Sequence, residues 1–327
     1  LFTNPEAAKS LLLFRYNTLP MALERAKMLD CKGACYPIAT LNGDEACPLW
    51  QHASLQLQPS TAVSYGIWHY VHLTDDKAFL YRYGAEMLLQ IARFQATRVG
   101  FSEKIGKYGF FGVMGPDEFH MMVNNNAYTN YMGMRALRYA ADVLDAMRED
   151  APGTYAALCE KVQLAPDEPA QWRHIADNMY IPETPDHLFE QHDGFFELPH
   201  TDINSIPVSE FPLYDHWAYD RIYRTDMIKQ PDVLMGLYFL NHVYDTETLR
   251  RNFDFYAPLT LHESGLSPCI HSIMAAQLGE KDLAVAMYKR TARYDLDNIN
   301  QDSQDGLHIT SMSGSWLAIA TVSYTHL

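Results

Sequence analysis

Positive charge is in short supply. Lysine and arginine total 25 against 40 aspartates and glutamates, a formal net charge of −15 at pH 7. No basic stripe remains to neutralise phosphates, which argues against a nucleic-acid partner. Cysteine is sparse as well: Cys31, Cys35, Cys47, Cys159 and Cys269 form an odd, dispersed set. Cys31 and Cys35 lie close together, but no second pair or histidine follows at metal-ligand spacing. His52, His69, His72, His120 and His271 likewise form no ligand pattern, so neither a metal nor an organic cofactor is expected. Free thiols fit a reducing compartment, hence a cytoplasmic protein. No apolar run approaches the ~20 residues that cross a bilayer, so no membrane association is expected either. Runs alternating at strand period are few and short.

Helical signals dominate what is there. Hydrophobic residues make up 48% of 327 residues, enough for a large core and for one domain rather than several. Apolar spacing predicts helices over 5–29, 60–73, 75–98, 126–148, 152–162, 167–180, 231–241, 245–255, 267–278, 281–296 and 311–322. Long loops over 31–58, 99–125, 182–229, 256–266 and 298–310 alternate with short turns such as Thr74-Asp75. Long connections without secondary structure of their own usually carry function. Paired helices with long loops gathered at one end describe an all-α toroid. Aromatic content is 13%; such rings serve equally as core or as platforms for sugar faces.

One loop stands out for its chemistry. Val113 to Asn130 reads Val-Met-Gly-Pro-Asp-Glu-Phe-His-Met-Met-Val-Asn-Asn-Asn-Ala-Tyr-Thr-Asn. Pro116 has a fixed φ and pushes Gly115 away from helix, so Asp117 and Glu118 sit on a shaped turn. Three further segments follow: Lys229-Gln230-Pro231-Asp232-Val233, His262-Glu263-Ser264-Gly265-Leu266-Ser267 and Gly306-Leu307-His308.

In that order, and with Lys32-Gly33-Ala34, these motifs resemble the inverting α-glucoside phosphorylases of glycoside hydrolase family 65. That group acts on maltose, kojibiose, nigerose and trehalose. The resemblance spans Arg15 to Trp316. It implies an (α/α)6 barrel, with a β-sandwich before it and a small β-domain after it. Residues 1–322 then read as a catalytic-domain fragment incomplete at both ends, and 323–327 as a foreign tail. A Trp-Asp pair that contacts sugar in the family would precede residue 1.

Glu118 resembles the family's general acid. A glucosidic oxygen leaves poorly unless protonated, so this carboxyl is expected to be partly buried beside negative charge, which would keep it protonated near neutral pH. Asp117 reads as a brace for the loop. Lys229 and Gln230 resemble the substrate-binding pair, offering a compact cation and an amide suited to sugar hydroxyls. Inorganic phosphate, the co-substrate, would be held by Ser264, Gly265 and His308, with Ser267 either adding a hydroxyl or capping the next helix. Gly265 stands where family members usually have a second serine. Trp50, in the loop after Asp44-Glu45, borders the acceptor sugar or fills core.

The reading is reversible phosphorolysis of an α-linked glucosyl disaccharide with inversion, giving β-D-glucose 1-phosphate and a free sugar. Met121-Met122 and 48–58 depart from the maltose phosphorylase pattern and lean toward nigerose or kojibiose. Two alternatives stay open: an α-glucosidase with Glu263 as base, and a non-catalytic carbohydrate-binding remnant. A homodimer is one assembly open to the full-length protein.

Overall fold

Helices carry the chain, and their ends follow local capping chemistry. The structure is a computed structural model that describes residues 1, 3–240 and 243–325. It resolves into two units: one of Leu1–Met114 and Asn124–Ile181, the other of Gly115–Val123 and Pro182–Leu327.

The first unit holds α1 (Pro5–Asn17), α2 (Leu19–Met28), α3 (Trp50–Leu55), α4 (Gln58–Thr74) and α5 (Lys77–Phe79). α5 runs through a π-turn at Leu80–Gly84 into α6 (Ala85–Arg98), and α7 (Ala127–Asp150), α8 (Pro152–Val162) and α9 (Glu168–Asp177) complete the set. Asn126 caps α7 by accepting the Thr129 N–H at 3.0 Å. α7 packs against α4, α6, α8 and α9 through a face that includes Met132, Ala136, Leu137, Ala140 and Leu144. The single helix expected over 5–29 is two. Pro20 has no N–H to donate and disfavours helical geometry before it, so the chain turns at Thr18, whose N–H still reaches the Phe14 carbonyl. Gly33, at φ +79°, lies against α6, where a Cβ would meet the Gln90 carbonyl. The loop expected over 99–125 carries a hairpin, β1 (Gly100–Ser102) antiparallel to β2 (Lys107–Gly109), with Phe101 opposite Tyr108.

The second unit holds α10 (Leu213–His216), α11 (Tyr219–Tyr223), α12 (Asp232–Phe239), α13 (Thr246–Tyr256), α14 (Ser267–Gln277), α15 (Lys281–Ala292) and α16 (Ile309–Thr325). α14 packs on α12, α15 and α16, and Asp245 caps α13 through the Thr248 N–H at 2.8 Å. α10 and α11 fall inside the expected 182–229 loop. They cover an apolar cluster of Phe119, Ile206, Leu213, Ile222, Met227 and Leu261. The all-α class expected from the sequence is the observed one. No helix among the described residues is long and apolar enough to cross a membrane.

Candidate active site

The Gly115–Val123 loop and the segments around Lys229 and Glu263 all belong to the second unit, where they meet. Glu118 is only partly buried. Its Oε2 lies 2.5 Å from the Lys229 ammonium. The acidic neighbour expected beside it is therefore not what touches it; the contact is a cation. Lys229 Nζ also stands 5.1 Å from the centre of the Tyr214 ring, a cation–π distance.

Asp117 points the other way and is fully buried. Its Oδ1 accepts the Lys229 N–H at 2.8 Å and the Phe119 N–H at 3.3 Å. Its Oδ2 takes His120 Nδ1 at 2.7 Å and Gln191 Nε2 at 2.9 Å. The Asp117 N–H in turn donates to Asp232 Oδ1 at 2.6 Å, at the start of α12. Such a carboxylate, saturated by donors, holds the loop and is in no position to activate a nucleophile.

Gln230 ties the same two segments together by donating to the Pro116 carbonyl. Its Oε1 accepts the Ser264 hydroxyl at 2.6 Å, and Ser264 Oγ accepts the Leu266 N–H at 3.1 Å. Gly265 lies beside His308: a Cβ built on it would stand 3.3 Å from His308 Cβ and 2.7 Å from Ser311 Oγ. The missing side chain of residue 265 thus corresponds to space that Ser311 fills. His308 is held by Asp295 through Nδ1 at 2.7 Å and faces Asp302 through Nε2 at 3.5 Å. Burial pushes the Asp295 carboxyl up, but the two hydrogen bonds from His308 outweigh it and hold Asp295 below the usual range. An anion reaching His308 would have to displace Asp302.

Ser267 begins α14 and makes no side-chain cap to it. Its side chain is buried and its Oγ sits 2.7 Å from His262 Nδ1. His262 adopts φ +59°, the left-handed region that costs a non-glycine residue of order 1 kcal/mol or more. Glu263 follows it, buried beside a cavity of about 290 Å³ that Phe211, Arg290 and Asn300 also line. Its Oε1 accepts the Leu213 N–H at 2.6 Å, while Oε2 has no hydrogen-bond partner among the described residues. Burial pushes its carboxyl up, against the opposing pull of that N–H and of Lys229.

Tyr223 escapes any local motif. It stands close enough to the acids that burial, Tyr219, Glu118 and Asp117 together push its hydroxyl up to about 12. Its hydroxyl keeps its hydrogen at neutral pH. The side chain of Trp50 lies outside the described residues, as does the end of the tail that departs from the family pattern. The Asn124–Asn126 cluster is structural: Asn125 sits at φ +53° with its N–H on the Phe110 carbonyl, and Asn126 caps α7. No group of three or more His, Cys, Asp or Glu among the described residues is placed to hold a metal ion.

A helical chain with this motif order defines a class, and comparison with known proteins gives it. Residues 1–317 match the glycosyl hydrolase family 65 central catalytic domain, and the chain belongs to that family. Maltose phosphorylase of Bacillus subtilis (strain 168) is 41% identical over 316 residues, 96% of this chain and 41% of that protein. The α,α-trehalose phosphorylase of Thermoanaerobacter brockii is 39% identical over 98% of this chain and 42% of its own length. A solved structure from the human microbiome, assigned as a kojibiose phosphorylase, superposes with a TM-score of 0.90 at 45% identity, covering 97% of this chain and 42% of that one. The chain spans less than half the length of these relatives.

Proposed function

We propose that the protein to which this catalytic chain belongs reversibly phosphorolyses an α-linked glucosyl disaccharide of the nigerose, kojibiose, maltose or trehalose type. Glu118 delivers a proton to the oxygen of the departing sugar. Inorganic phosphate attacks C1 from the opposite face, and inversion yields β-D-glucose 1-phosphate. Lys229 and Gln230 bind sugar hydroxyls, and Ser264, Gly265 and His308 receive the phosphate. No metal or organic cofactor takes part.

One observation carries this reading: acid, cation, amide and hydroxyl form a connected set. An inverting hydrolase needs a second carboxylate roughly 6.5–9.5 Å from the acid to activate water. Asp117 has both oxygens engaged by donors. Glu263 is buried, with its Oε1 engaged by the Leu213 N–H. Phosphate needs no base, since it is itself the attacking anion. Relatives named as maltose, trehalose and kojibiose phosphorylases support the same chemistry.

The reverse reaction tests it. The full-length protein is given β-D-glucose 1-phosphate with glucose and other sugars as acceptors, and phosphate release is followed. Disaccharide synthesis from the β-anomer is expected, and the product linkage identifies the natural substrate. Use of the α-anomer instead would overturn inversion.

A further inference from the structure

Lys229 meets Glu118 from a segment far along the chain, and a lysine side chain alone is a flexible tether. Something must fix where that tether begins. Its backbone N–H is held by Asp117 Oδ1 at 2.8 Å, and Asp117 precedes Glu118 in sequence. One buried carboxylate therefore sets both ends of the acid–lysine pair.

What sets that carboxylate is His120. Its Nδ1 lies 2.7 Å from Asp117 Oδ2 and its Nε2 lies 2.9 Å from the Thr225 carbonyl, four residues before Lys229. Both ring nitrogens face acceptors. The imidazole is enclosed: it is 4% exposed, with the His192 ring at 5.1 Å and the Phe195 ring at 5.4 Å. Burial and the nearby His120 together push the His192 imidazole down to about 4, so His192 stays neutral beside it. Gln191 is the remaining donor to Asp117 Oδ2, at 2.9 Å.

We propose that His120 is a positioning residue for catalysis: it clamps the acid-bearing loop to the 225–229 segment and so places the Lys229 ammonium on Glu118. Residues 117, 120, 225 and 229 close a small ring of hydrogen bonds, and removing His120 opens it at two points. The pair then loses its fixed separation, and misplacement of catalytic groups by about 1 Å costs on the order of 10²-fold in rate. With the clamp gone Lys229 still reaches sugar hydroxyls on its flexible stem, so the loss falls on the chemical step rather than on ground-state sugar binding.

This proposal rests on Glu118 being the acid, and the test separates the two ideas. In the full-length protein, kcat and KM for disaccharide and for phosphate are measured for His120→Leu, His120→Asn, Lys229→Met and Glu118→Gln. The expected result is a kcat about 10- to 100-fold lower in His120→Leu with both KM values within about threefold of the parent. His120→Asn, whose amide can still donate to Asp117, recovers part of the loss. Added to Lys229→Met, the leucine change costs little more, because the group it positions is already gone. Unchanged kcat per folded molecule in His120→Leu, or full additivity with Lys229→Met, overturns the clamp. If His120→Leu does not fold, His120→Asn and His120→Gln decide: parental kcat in both overturns it, a lowered kcat at unchanged KM supports it. Near-normal turnover in Glu118→Gln instead refutes the acid assignment itself.

Discussion

At the scale of single residues, Glu118 and Asp117 show how adjacent acids divide labour by environment. Glu118 stays at the surface of the site with one oxygen on Lys229, while Asp117 is buried with every acceptor position used. Replacing Glu118 by glutamine keeps the shape and removes the carboxyl. Turnover of unactivated disaccharides is expected to fall on the order of 10²–10⁴-fold, the usual worth of acid catalysis. A substrate whose leaving group needs no proton should lose far less, and parallel kinetics on the two substrate kinds check this. The turn that presents Glu118 was legible in the sequence because Gly115-Pro116 is local. Tyr214, Tyr223 and the role of His120 were not. Tyr223 meets Glu118 and His120 meets Thr225 across about a hundred residues, Tyr214 meets Lys229 across fifteen, and neither spacing nor residue type announces such meetings. The environment expected for Glu118 also differed, since the ammonium that reaches it belongs to a distant segment.

At the scale of elements, sequence served best where apolar period and capping residue agreed. α8 was read at the residues it occupies, and α13 and α14 to within a residue or so. It served worst where proline interrupted the period, as between α1 and α2, and where helices were too short to show one. α10 and α11, of four and five residues, exist because Leu213 and Ile222 are buried in the cluster under them. Their stability is tertiary in origin, hence invisible to local pattern. The Asn126 cap makes an element-scale prediction. Asn126→Ala leaves the Thr129 N–H without its side-chain acceptor in a buried setting and should destabilise the fold by about 1 kcal/mol, up to ~2. Urea unfolding followed by circular dichroism would show this as a lower midpoint with unchanged slope.

At the scale of the whole chain, buried histidines make stability depend on pH. Burial pushes the His192 and His271 imidazoles from 6.5 down to about 4, and His262 well below 6.5. For each, the folded form binds a proton less readily than the unfolded chain. Their contribution is therefore fully present above about pH 6.5 and lost as pH falls toward 4, at about 3 kcal/mol for a shift of that size. Glu263, pushed up by burial, acts with opposite sign: its contribution is present below 4.5 and fades as pH rises through its folded value. Three histidines outweigh it, so the melting temperature should fall between pH 6.5 and 4, and His271→Gln should lessen that fall. A melting temperature flat across this range would contradict the buried, neutral histidines.

Phosphate dependence bears most directly on the central idea that an inorganic anion, not a protein base, attacks the sugar. The full-length protein is incubated with an α-linked glucosyl disaccharide in phosphate-free buffer and again with inorganic phosphate, and free sugar is quantified. The account predicts release only with phosphate, matched mole for mole by β-D-glucose 1-phosphate. Equal release of two free sugars without phosphate would contradict it and make Glu263 the base after all.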